Sequence, residues 1–540
     1  MSLQFITGNS GNGKTKYLFN RIVKEAKANP RDNYLVIVPE QFTMQTQRQL
    51  VDLSENKAIM NIDVLSFKRL AYRVFDELGI TNLTVLEETG KNLVLRKLAA
   101  QEADKLGVIG RNLNRIGYIS EVKSLLSELV QYNISPEELG RYIASGRLSD
   151  ALSDKLKDVL VLYEAFEKFM QDKYITAEEI LNVLCNVAEE SAILRNSVIA
   201  FDEFTGFTPI QNQLIKKLFV ISKKIYVTLT IDCREDIFKS RGMQELFDMP
   251  KRTVKSLTEM AAFYGIEVEE PIILDKNYRL AENEELSFME QQLFRKRRCS
   301  FKKVPKHIHI DCLRDPKQEL TKIARRINEL VRNENLRYRD IAIVTGDVNI
   351  YAGYVREIFD KYNIPYFIDA TQEILFHPFI EFIRSIPDIA AQNFSADAVF
   401  RFLRCGFSEL LDSEIDVLEN YVLACGVRGK NAWDKKWVRL PKHKAGYDLE
   451  LLNQSREYIM EMLKPVYQVF SDKKSTVKDY VLTIYKLIVL LDIPDKLAKK
   501  EQVLLDAGDQ TASKEYGQIY KIVMQLFEKY VAVLGDAIGL

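Results

Sequence analysis

The sequence predicts an α/β protein with parallel sheets, and three observations lead to this class. Residues 3–7 follow a strand pattern, and after a glycine-rich break a helical period runs from 14 to 28. Residues 34–38 form a continuous apolar run of the kind that lies inside a parallel sheet. Pro39 ends this run, and a further helical pattern reaches residue 49. Strands and helices that alternate in this order are typical of an α/β lobe.

Length and composition indicate a globular protein of several domains. The 540 residues are enough for three or four domains of about 150 residues each. Hydrophobic residues make up 47% and charged residues 28% of the chain, which excludes a disordered or fibrous protein. The 76 Lys and Arg residues are balanced by 76 Asp and Glu residues, so a nucleic-acid site would have to be a local patch or a shaped channel.

Neither a membrane span nor a secretory signal is expected. The best apolar run, residues 480–491, contains Lys486 and falls short of the roughly 20 apolar residues that a span requires. The N-terminus has no basic segment before an apolar core. The six cysteines are scattered without a CxxC pair, which fits neither a disulfide framework nor a zinc site. We therefore predict a cytoplasmic protein with reduced thiols and no membrane partner.

The distribution of helical and strand patterns predicts four regions. The first lobe comprises residues 1–86 and 190–275, and a helical insertion at 87–189 interrupts it. A second lobe is expected to start within 276–385, and another helical insertion at 386–540 leaves this lobe incomplete. Three apolar runs of the second lobe are predicted strands, at 307–311, 341–345 and 364–369.

A glycine-rich motif between the first strand and the first helix indicates nucleotide binding. Eight residues match GxxxxGK[ST], directly after a strand and at the start of a helix. In such a loop, backbone N–H groups cradle phosphate oxygens at a helix N-terminus, where the helix dipole also favours negative charge. Lys14 is expected to neutralise the β- and γ-phosphates of ATP, and the Thr15 hydroxyl to bind Mg²⁺. The predicted cofactor-binding residues are Gly8, Asn9, Ser10, Gly11, Asn12, Gly13, Lys14 and Thr15.

A strand that ends in two carboxylates supplies the second half of the expected site. Residues 198–201 are apolar and lead directly into Asp202 and Glu203. Asp202 is expected to hold Mg²⁺ together with Thr15, and Glu203 to polarise an attacking water as a catalytic residue. The alternative is a strand followed by a surface acidic pair that takes no part in nucleotide chemistry.

Several segments resemble superfamily 1 helicases, in which two P-loop (RecA-like) parallel-sheet lobes carry large helical insertions that grip DNA. Residues 38–43 and 64–71 look like the strand-contacting motifs of those motors, and residues 277–279 resemble their fourth motif. The resemblance implies that Arg279 is a catalytic residue that reaches the γ-phosphate. It also implies that single-stranded DNA contacts six residues, which are Gln41, Phe42, Thr43, Ser66, Phe67 and Arg69.

A narrower resemblance extends over essentially the whole chain. At residues 38–41, 65–67, 69–71, 201–202, 204–209, 364–369 and 377–378, the sequence is similar to the AddB subunit of the bacterial AddAB helicase–nuclease. This resemblance implies a role in double-strand break repair by homologous recombination, in which the complex resects DNA ends and recognises a Chi sequence. It implies DNA, as single strands and duplex ends, and an AddA-like helicase–nuclease subunit as partners. AddB subunits are about twice as long, and their other half carries a RecB-type nuclease domain and an iron–sulfur cluster.

The chain departs from this pattern in ways that leave its activity open. It shows no carboxylate–lysine nuclease pattern and no grouped cysteines, so it is interpreted as the N-terminal half of such a subunit or as a truncated relative. Active superfamily 1 helicases place an adenine-reading glutamine upstream of the phosphate loop, and the seven residues before Gly8 leave no room for it. After Ile231, the run 232–236 lacks the glutamine that couples the γ-phosphate to DNA in those motors.

Three hypotheses for the function follow. The first is an ATP- and DNA-binding enzyme subunit of a helicase–nuclease, which the glutamate at position 203 favours. The second is an inactivated helicase-like scaffold that binds DNA with ATP as a conformational ligand, which the missing coupling glutamine favours. The third is an unrelated phosphate-loop ATPase.

Three groups of residues have both a functional and a structural interpretation. Phe42, Phe67 and Tyr72 could stack on bases of single-stranded DNA, but aromatic residues at such spacing also form cores. Trp433 and Trp437 lie four residues apart beside several basic residues, which fits core packing or a DNA-facing surface. A basic run between the two α/β blocks is either a solvated linker or a contact for a phosphate backbone. Its residues are Arg295, Lys296, Arg297, Arg298, Lys302, Lys303 and Lys306.

Overall fold

The computed structural model divides the chain into two compact units, Met1–His309 and Ile310–Leu540. Each unit has its own hydrophobic core and is described by itself. The residues that the structure describes are 1–80, 85–108, 110, 117–145, 148–170, 174–176, 178–295, 299–369, 373–441 and 446–535.

The first unit is built on a seven-stranded sheet in which every strand pair is parallel. The described strands are β1 (Ser2–Gly8), β2 (Tyr34–Ile37), β3 (Ile62–Leu65), β4 (Val85–Leu86), β5 (Ile175–Thr176), β6 (Val198–Phe201), β7 (Lys224–Thr230), β8 (Glu267–Val268) and β9 (Ile272–Leu274). The large sheet has the order β3-β2-β6-β7-β1-β8, and β9 extends the pairing along β1 after β8. The strands β4 and β5 form a separate parallel pair.

The sheet is covered on both faces, as its apolar strands predict. All four residues of β2 and all four of β6 are buried. Successive side chains of a strand point to opposite faces, and they accordingly join two different clusters. Leu35 and Ile37 of β2 pack into one cluster, whereas Tyr34 and Val36 pack into the other. The predicted α/β class with a parallel sheet is therefore confirmed.

The helices of the first unit pack against these two faces and against each other. They are α1 (Lys14–Ala28), α2 (Thr43–Leu53), α3 (Phe67–Leu78), α4 (Glu88–Gln101), α5 (Tyr118–Gln131), α6 (Pro136–Ala144), α7 (Asp150–Met170), α8 (Ile180–Val187), α9 (Pro209–Ile221), α10 (Asp248–Phe263) and α11 (Glu284–Gln292). Helices α4 to α8 follow one another in the region where the sequence predicts a helical insertion. Ser66 caps the N-terminus of α3, where its hydroxyl accepts a hydrogen bond from the Arg69 backbone N–H. Thr208 precedes α9 and forms a capping box with Gln211.

The described part of the second unit is helical. Its helices are α12 (Pro316–Asn333), α13 (Val348–Lys361), α14 (Pro378–Ala391), α15 (Ala396–Leu403), α16 (Asp412–Cys425), α17 (Lys430–Asp434), α18 (Leu449–Ser471), α19 (Val477–Leu490), α20 (Ile493–Asp506) and α21 (Gln510–Leu534). Helices α14 to α21 enclose an aromatic-rich core that contains Trp433 and Trp437. Both tryptophans are buried, so core packing is the interpretation that holds for them. Across the described ranges, no helix combines the length and the apolar content that a membrane crossing needs.

The strands predicted for the second α/β block need correction. The segments concerned are 307–311, 341–345 and 364–369. They contain no strand, and none of them joins a sheet with another described segment. Side chains that a sheet would bury are exposed, at 94% for Ile310, 92% for Val344 and 88% for Phe367. An apolar run indicates an extended backbone, but a strand forms only where neighbours pair with its N–H and C=O groups.

Candidate nucleotide site

The glycine-rich loop lies at the carboxyl edge of the sheet, between the end of β1 at Gly8 and the start of α1 at Lys14. Lys14 folds back into the loop, where its Nζ donates hydrogen bonds to the carbonyl oxygens of Gly8 at 3.1 Å and Asn9 at 3.0 Å. Burial lowers the pKa of Lys14, although the carboxylates of Glu203 and Asp202 oppose this shift. The ammonium group thus lies at the point where the geometry of such a loop places phosphates.

Asp202 is the buried acid of the site. It follows β6, is 1% exposed, and accepts a hydrogen bond from the Thr228 hydroxyl of the neighbouring strand β7. Burial raises the pKa of Asp202, the Glu203 carboxylate adds to this, and the hydroxyls of Thr228 and Thr15 oppose it. Its second oxygen, Oδ2, is buried and has no hydrogen-bond partner among the described residues. A buried carboxylate with an unsatisfied oxygen beside a threonine hydroxyl is suited to holding a divalent cation.

Glu203 adopts a backbone conformation that is rare for a non-glycine residue, with φ at +64°. This left-handed residue turns the chain sharply after the buried strand. Its exposed carboxylate therefore faces the start of α1, where the Thr15 hydroxyl lies 3.4 Å from Glu203 Oε1. Backbone strain of this kind is concentrated at functional sites in proteins. The structure thus brings together the four side chains that the sequence assigned to the phosphates, the cation and the water.

Residues 277–279 form hydrogen bonds to the backbone of the glycine-rich loop. The backbone N–H groups of Tyr278 and Arg279 donate to the Gly11 carbonyl oxygen at 3.0 and 3.4 Å. The Asn277 side chain donates to the Ser10 carbonyl oxygen at 3.0 Å. These residues follow β9 and belong to the same compact unit as the loop. Arg279, which was expected to approach the γ-phosphate, accordingly lines the cleft beside Lys14.

A cleft of about 670 Å³ opens in front of the loop. Most of the predicted nucleotide residues line it, namely Ser10, Gly11, Gly13, Lys14, Thr15, Asp202, Glu203 and Arg279. Asn9 and Asn12 are buried behind the loop instead. The Asn12 amide donates to the Leu274 carbonyl oxygen at 2.6 Å, so this side chain anchors the loop to the end of β9. Its role is to hold the backbone rather than to face the cleft.

Asn9 connects the loop to the end of β7 and to α11. Its Oδ1 accepts from the Cys233 backbone N–H at 2.9 Å, and its amide donates to Glu290 Oε1 at 2.8 Å. Asp232, which precedes Cys233, has a fully buried side chain and forms ion pairs with Arg234 at 2.6 Å and Arg295 at 3.0 Å. Burial by itself would raise the pKa of Asp232, but the bonds from Arg234 and the charges of both arginines hold it at about 2. The position that follows β7 is therefore occupied by a paired carboxylate.

The six residues assigned to single-stranded DNA lie at two neighbouring strand ends. The strands β2 and β3 are adjacent, and the Val38 backbone N–H donates to the Leu65 carbonyl oxygen at 3.0 Å. Gln41 and Arg69 are exposed at this edge, and Phe42 is half-buried. Thr43 and Ser66 are buried. The Thr43 hydroxyl donates to the Glu40 carbonyl oxygen, and the Ser66 hydroxyl accepts from the Arg69 backbone N–H as the N-cap of α3. Only part of the assigned set is thus accessible to a ligand.

The structure does not support Phe67 as a base-stacking residue. Its side chain is 7% exposed and lies in an aromatic cluster with Phe201, Phe204 and Phe207, at ring-centroid distances of 5.5–6.3 Å. Phe67 is the first residue of α3 and packs against the sheet, so the neighbouring rings cover the faces on which a base would stack. Sequence spacing does not distinguish this environment from an exposed one. Tyr72, by contrast, is 38% exposed on α3.

The basic run between the two blocks is only partly described. Arg295 forms an ion pair with Asp232, and Lys303 forms one with Glu284 of α11. The Lys306 backbone N–H donates to Glu285 at 2.7 Å. Lys296, Arg297 and Arg298 lie outside the described residues. Lys303 and the Lys306 backbone are thus tied to α11 and Arg295 to Asp232, whereas Lys302 is exposed and makes no ion pair with a described residue. The contacts of the first three residues fit the linker interpretation.

Tyr278, Asn277 and Thr228 contribute to the site, but the sequence analysis gave none of them an individual role. Tyr278 is 66% exposed and its ring lies next to Gly13, and Lys276 lies 5.0 Å from the ring centroid. Asn277 holds the loop, and Thr228 holds the buried acid. Tyr278 and Asn277 stand beside Arg279 in the recognised motif, so the motif itself was the available signal. No local signal marks Thr228, because only the pairing of β7 with β6 brings it to Asp202.

Replacing Gly11 with alanine is expected to disrupt the loop. Gly11 has φ at +89°, and an added Cβ would lie 2.8 Å from Asn277 Oδ1 and 2.9 Å from Arg279 Cβ. We expect at least about tenfold weaker nucleotide binding, together with a loss of stability of roughly 1–2 kcal/mol from the backbone conformation. Gly79→Ala is the matched control, since Gly79 has φ at +70° and nothing within 4 Å of an added Cβ. Thermal unfolding and nucleotide titration of both variants check this, and equal nucleotide affinity in the two would contradict the packing argument.

The fold and the site together define a class. This is an α/β protein whose glycine-rich loop joins the first strand to the first helix of a parallel sheet, opposite an acidic strand end. The chain belongs to the AddB family, since the family described as "ADDB, N-terminal" matches residues 5–290. The kinship predicted from the sequence motifs is therefore confirmed.

Curated relatives match the chain over nearly its whole length. It is 38% identical to the B subunit of the ATP-dependent helicase/deoxyribonuclease of Lachnoclostridium phytofermentans, over 99% of this chain and 47% of that protein. It is 31% identical to the proteins of the same name from Clostridium acetobutylicum and Clostridioides difficile, over 99% and 100% of this chain and 47% of each relative. The chain thus spans about half the length of the curated relatives that it matches.

Proposed function

We propose that this chain is the ATP- and DNA-binding, helicase-like part of the B subunit of an ATP-dependent helicase/deoxyribonuclease. The observation that carries the proposal is the convergence of Lys14, Thr15, Asp202 and Glu203 in one cleft at the carboxyl edge of a parallel sheet. The family membership supports it, since the relatives are named as such subunits. The proposed setting is DNA end resection in double-strand break repair, with Chi recognition and an AddA-like partner subunit. The division into four regions belongs to the same proposal, except that the described part of the expected second lobe contains helices and no sheet.

The residues present fit a magnesium nucleotide. Asp202, with its unpartnered Oδ2, and the Thr15 hydroxyl would hold Mg²⁺, which would neutralise charge on the β- and γ-phosphate oxygens. Lys14 would exchange its two carbonyl partners for phosphate oxygens. Glu203 would orient a water and take its proton. Tyr278, exposed beside the loop, offers a ring face to the nucleotide base. The nuclease and the iron–sulfur cluster of the family are not assigned to any residue of this chain.

A second candidate function rests on Asp232. In the superfamily 1 helicases that the sequence resembles, a glutamine after the corresponding strand couples the γ-phosphate to DNA. Here the residue at this position is a carboxylate that both Arg234 and Arg295 neutralise. No described side chain of the 232–236 run lines the cleft. This favours a scaffold that binds DNA and uses ATP as a conformational ligand, with little turnover.

Single-stranded DNA is expected to bind along the edge formed by residues 39–72. Arg69→Ala should weaken binding about tenfold, because an exposed arginine that pairs with a phosphate contributes roughly 1.5–3 kcal/mol. Arg31→Ala is the matched control, since Arg31 is equally exposed but lies in the turn before β2, at the opposite edge of the sheet. Fluorescence anisotropy at fixed salt measures both variants. Photo-crosslinking of single-stranded DNA that avoids residues 39–72 would contradict the assignment.

A further inference from the structure

A strongly basic loop in the second unit has no role assigned so far, and the role inferred for it rests on the DNA-binding function proposed above. Residues 428–444 contain seven Lys or Arg residues and one Asp, in a chain whose net charge is zero. The described part, residues 428–441, is called the basic loop here. Four of its cations are exposed and form no ion pair with any described residue; these are Arg428, Lys435, Lys436 and Arg439. Lys430 differs from them because it pairs with Asp434 at 2.9 Å.

The backbone of the basic loop is fixed from below by buried side chains. Asn453 accepts from the Trp437 backbone N–H at 2.8 Å and donates to the Trp437 carbonyl oxygen at 2.9 Å. Arg456, 5% exposed, donates to the Trp433 carbonyl oxygen at 2.8 Å. Both indole rings are packed in the core of the unit. A buried arginine and asparagine are stable only with such partners, so the loop and its supports form one rigid structure.

The two ends of the basic loop meet at the end of α16. Gly426, with φ at +65°, turns the chain out of the helix just before Arg428. Tyr421 of the same helix donates to the Arg439 carbonyl oxygen at 2.6 Å. The Arg439 backbone therefore lies against the last turns of α16, and Arg428 follows the end of the same helix, with Lys435 and Lys436 on the chain between them. The carboxylates Asp416 and Glu419 of α16 are already paired with Arg404, so they leave the cations of the loop uncompensated.

We propose that the basic loop binds the phosphate backbone of duplex DNA. Unpaired cations on a fixed backbone match a row of phosphates, and their binding releases condensed counterions. The aromatic residues of the loop are buried beneath it, so it offers no ring on which an unpaired base could stack. A duplex hides its bases and carries twice the phosphate density of one strand, which makes it the better ligand. The basic loop belongs to the second unit, so its residues are distinct from those of the nucleotide site.

The test replaces all four exposed cations of the loop with alanine in the complete 540-residue chain. The variant R428A/K435A/K436A/R439A is titrated with a labelled blunt duplex at several salt concentrations. We expect duplex affinity to fall at least about tenfold at low salt, and the slope of log affinity against log salt to become shallower by up to about 3–4, since each lost phosphate contact removes about 0.9. Trp433 and Trp437 are the only tryptophans of the chain, so unchanged tryptophan emission shows that the loop keeps its structure.

The matched control removes the same charge from another surface. Lys499, Lys500, Lys514 and Lys521 on α20 and α21 are exposed and make no ion pair with a described residue. K499A/K500A/K514A/K521A should keep the duplex affinity and the salt slope of the unmodified chain. An equal loss in both variants, or none in the loop variant, overturns the proposal. The proposal is also overturned if the loop variant keeps its duplex affinity and loses affinity only for single-stranded DNA or for the polyanion poly-glutamate. ATP binding is measured in parallel, so that failure of the nucleotide site is recognised separately.

Discussion

Lys14→Ala is expected to weaken ATP binding about 100-fold or more. The ammonium group lies in the loop on two carbonyl oxygens, and no other lysine approaches these oxygens in the described chain. Two charge-assisted hydrogen bonds to phosphate oxygens contribute roughly 3–6 kcal/mol, and each 1.4 kcal/mol changes the affinity about tenfold. In the alanine variant, the ammonium group that would neutralise the negative charge of the triphosphate is missing. Calorimetric titration with ATP in the presence of Mg²⁺ measures this loss directly.

The control for Lys14→Ala is Lys24→Ala. Lys24 lies on the same helix, is exposed, and is outside the cleft, so its removal changes the net charge equally without touching the site. Thermal unfolding of both variants separates lost binding from lost folding, because Lys14 also caps two carbonyl groups of the loop. ATP affinity that is equal in the Lys14 and Lys24 variants would remove the basis of the proposed nucleotide site.

The same variant distinguishes the two candidate functions. If the chain is an ATPase, DNA-stimulated turnover of ATP should be measurable in the unmodified chain and absent in Lys14→Ala. If the chain is a scaffold, ATP binds but turnover is the same, and near background, in both. The paired Asp232 favours the second outcome and the glutamate at 203 favours the first.

Glu203→Gln is expected to abolish turnover while ATP binding persists. The carboxylate stands over the start of α1 and is exposed to the cleft, where it can accept a proton from a water. The glutamine amide has the same size and can keep the contact with Thr15, but it cannot accept the proton of the attacking water. Removal of a general base lowers the rate of such a reaction about 10²–10⁴-fold. Single-turnover hydrolysis by a stoichiometric mixture of chain, ATP and duplex or single-stranded DNA measures the effect. Unchanged turnover in Glu203→Gln would exclude this residue as the base.

Asp202→Asn is the companion variant, and its expected effect is different. It should remove the gain in ATP affinity that Mg²⁺ provides, because the cation loses its buried carboxylate. Burial raises the pKa of Asp202, so protons compete with Mg²⁺ at a higher pH than at an ordinary aspartate. Mg²⁺ affinity of the unmodified chain should therefore fall as the pH decreases toward that raised pKa, and this pH dependence should vanish in Asp202→Asn. In the metal-free chain the raised pKa makes the folded state less stable as the pH rises above the ordinary carboxyl pKa.

Much of the site could be predicted because its parts are local in sequence. The order of strand, glycine-rich loop and helix fits within fifteen residues, and the apolar run before Asp202 marks a buried strand. Parallel strands place their carboxyl ends at one edge, so two such motifs are expected to meet. The structure places them on strands separated by β7 only. Family membership followed from short motifs for the same reason.

Two features were decided by contacts between distant residues. Gly8 and Gly11 are needed partly because Leu274, Asn277 and Arg279 press against the loop, more than 260 residues further along the chain. Phe67 was expected at a DNA surface, but the neighbouring aromatic rings bury it. The contacts of these residues depend on which helices and strands pack together, and this packing cannot be predicted from residue type and spacing.

The sequence alone therefore determined the α/β class, the glycine-rich loop between the first strand and the first helix, the acidic strand end and the family. These depend on short-range patterns, in which backbone geometry and side-chain periodicity are set by neighbours along the chain. The tertiary structure decided that Asp232 is neutralised by two arginines and that the apolar runs after residue 306 are unpaired. It also decided that the tryptophans lie beneath a basic loop rather than on it. The physical reason is that ion pairing, strand pairing and burial depend on partners brought together by folding, and the local sequence does not name those partners.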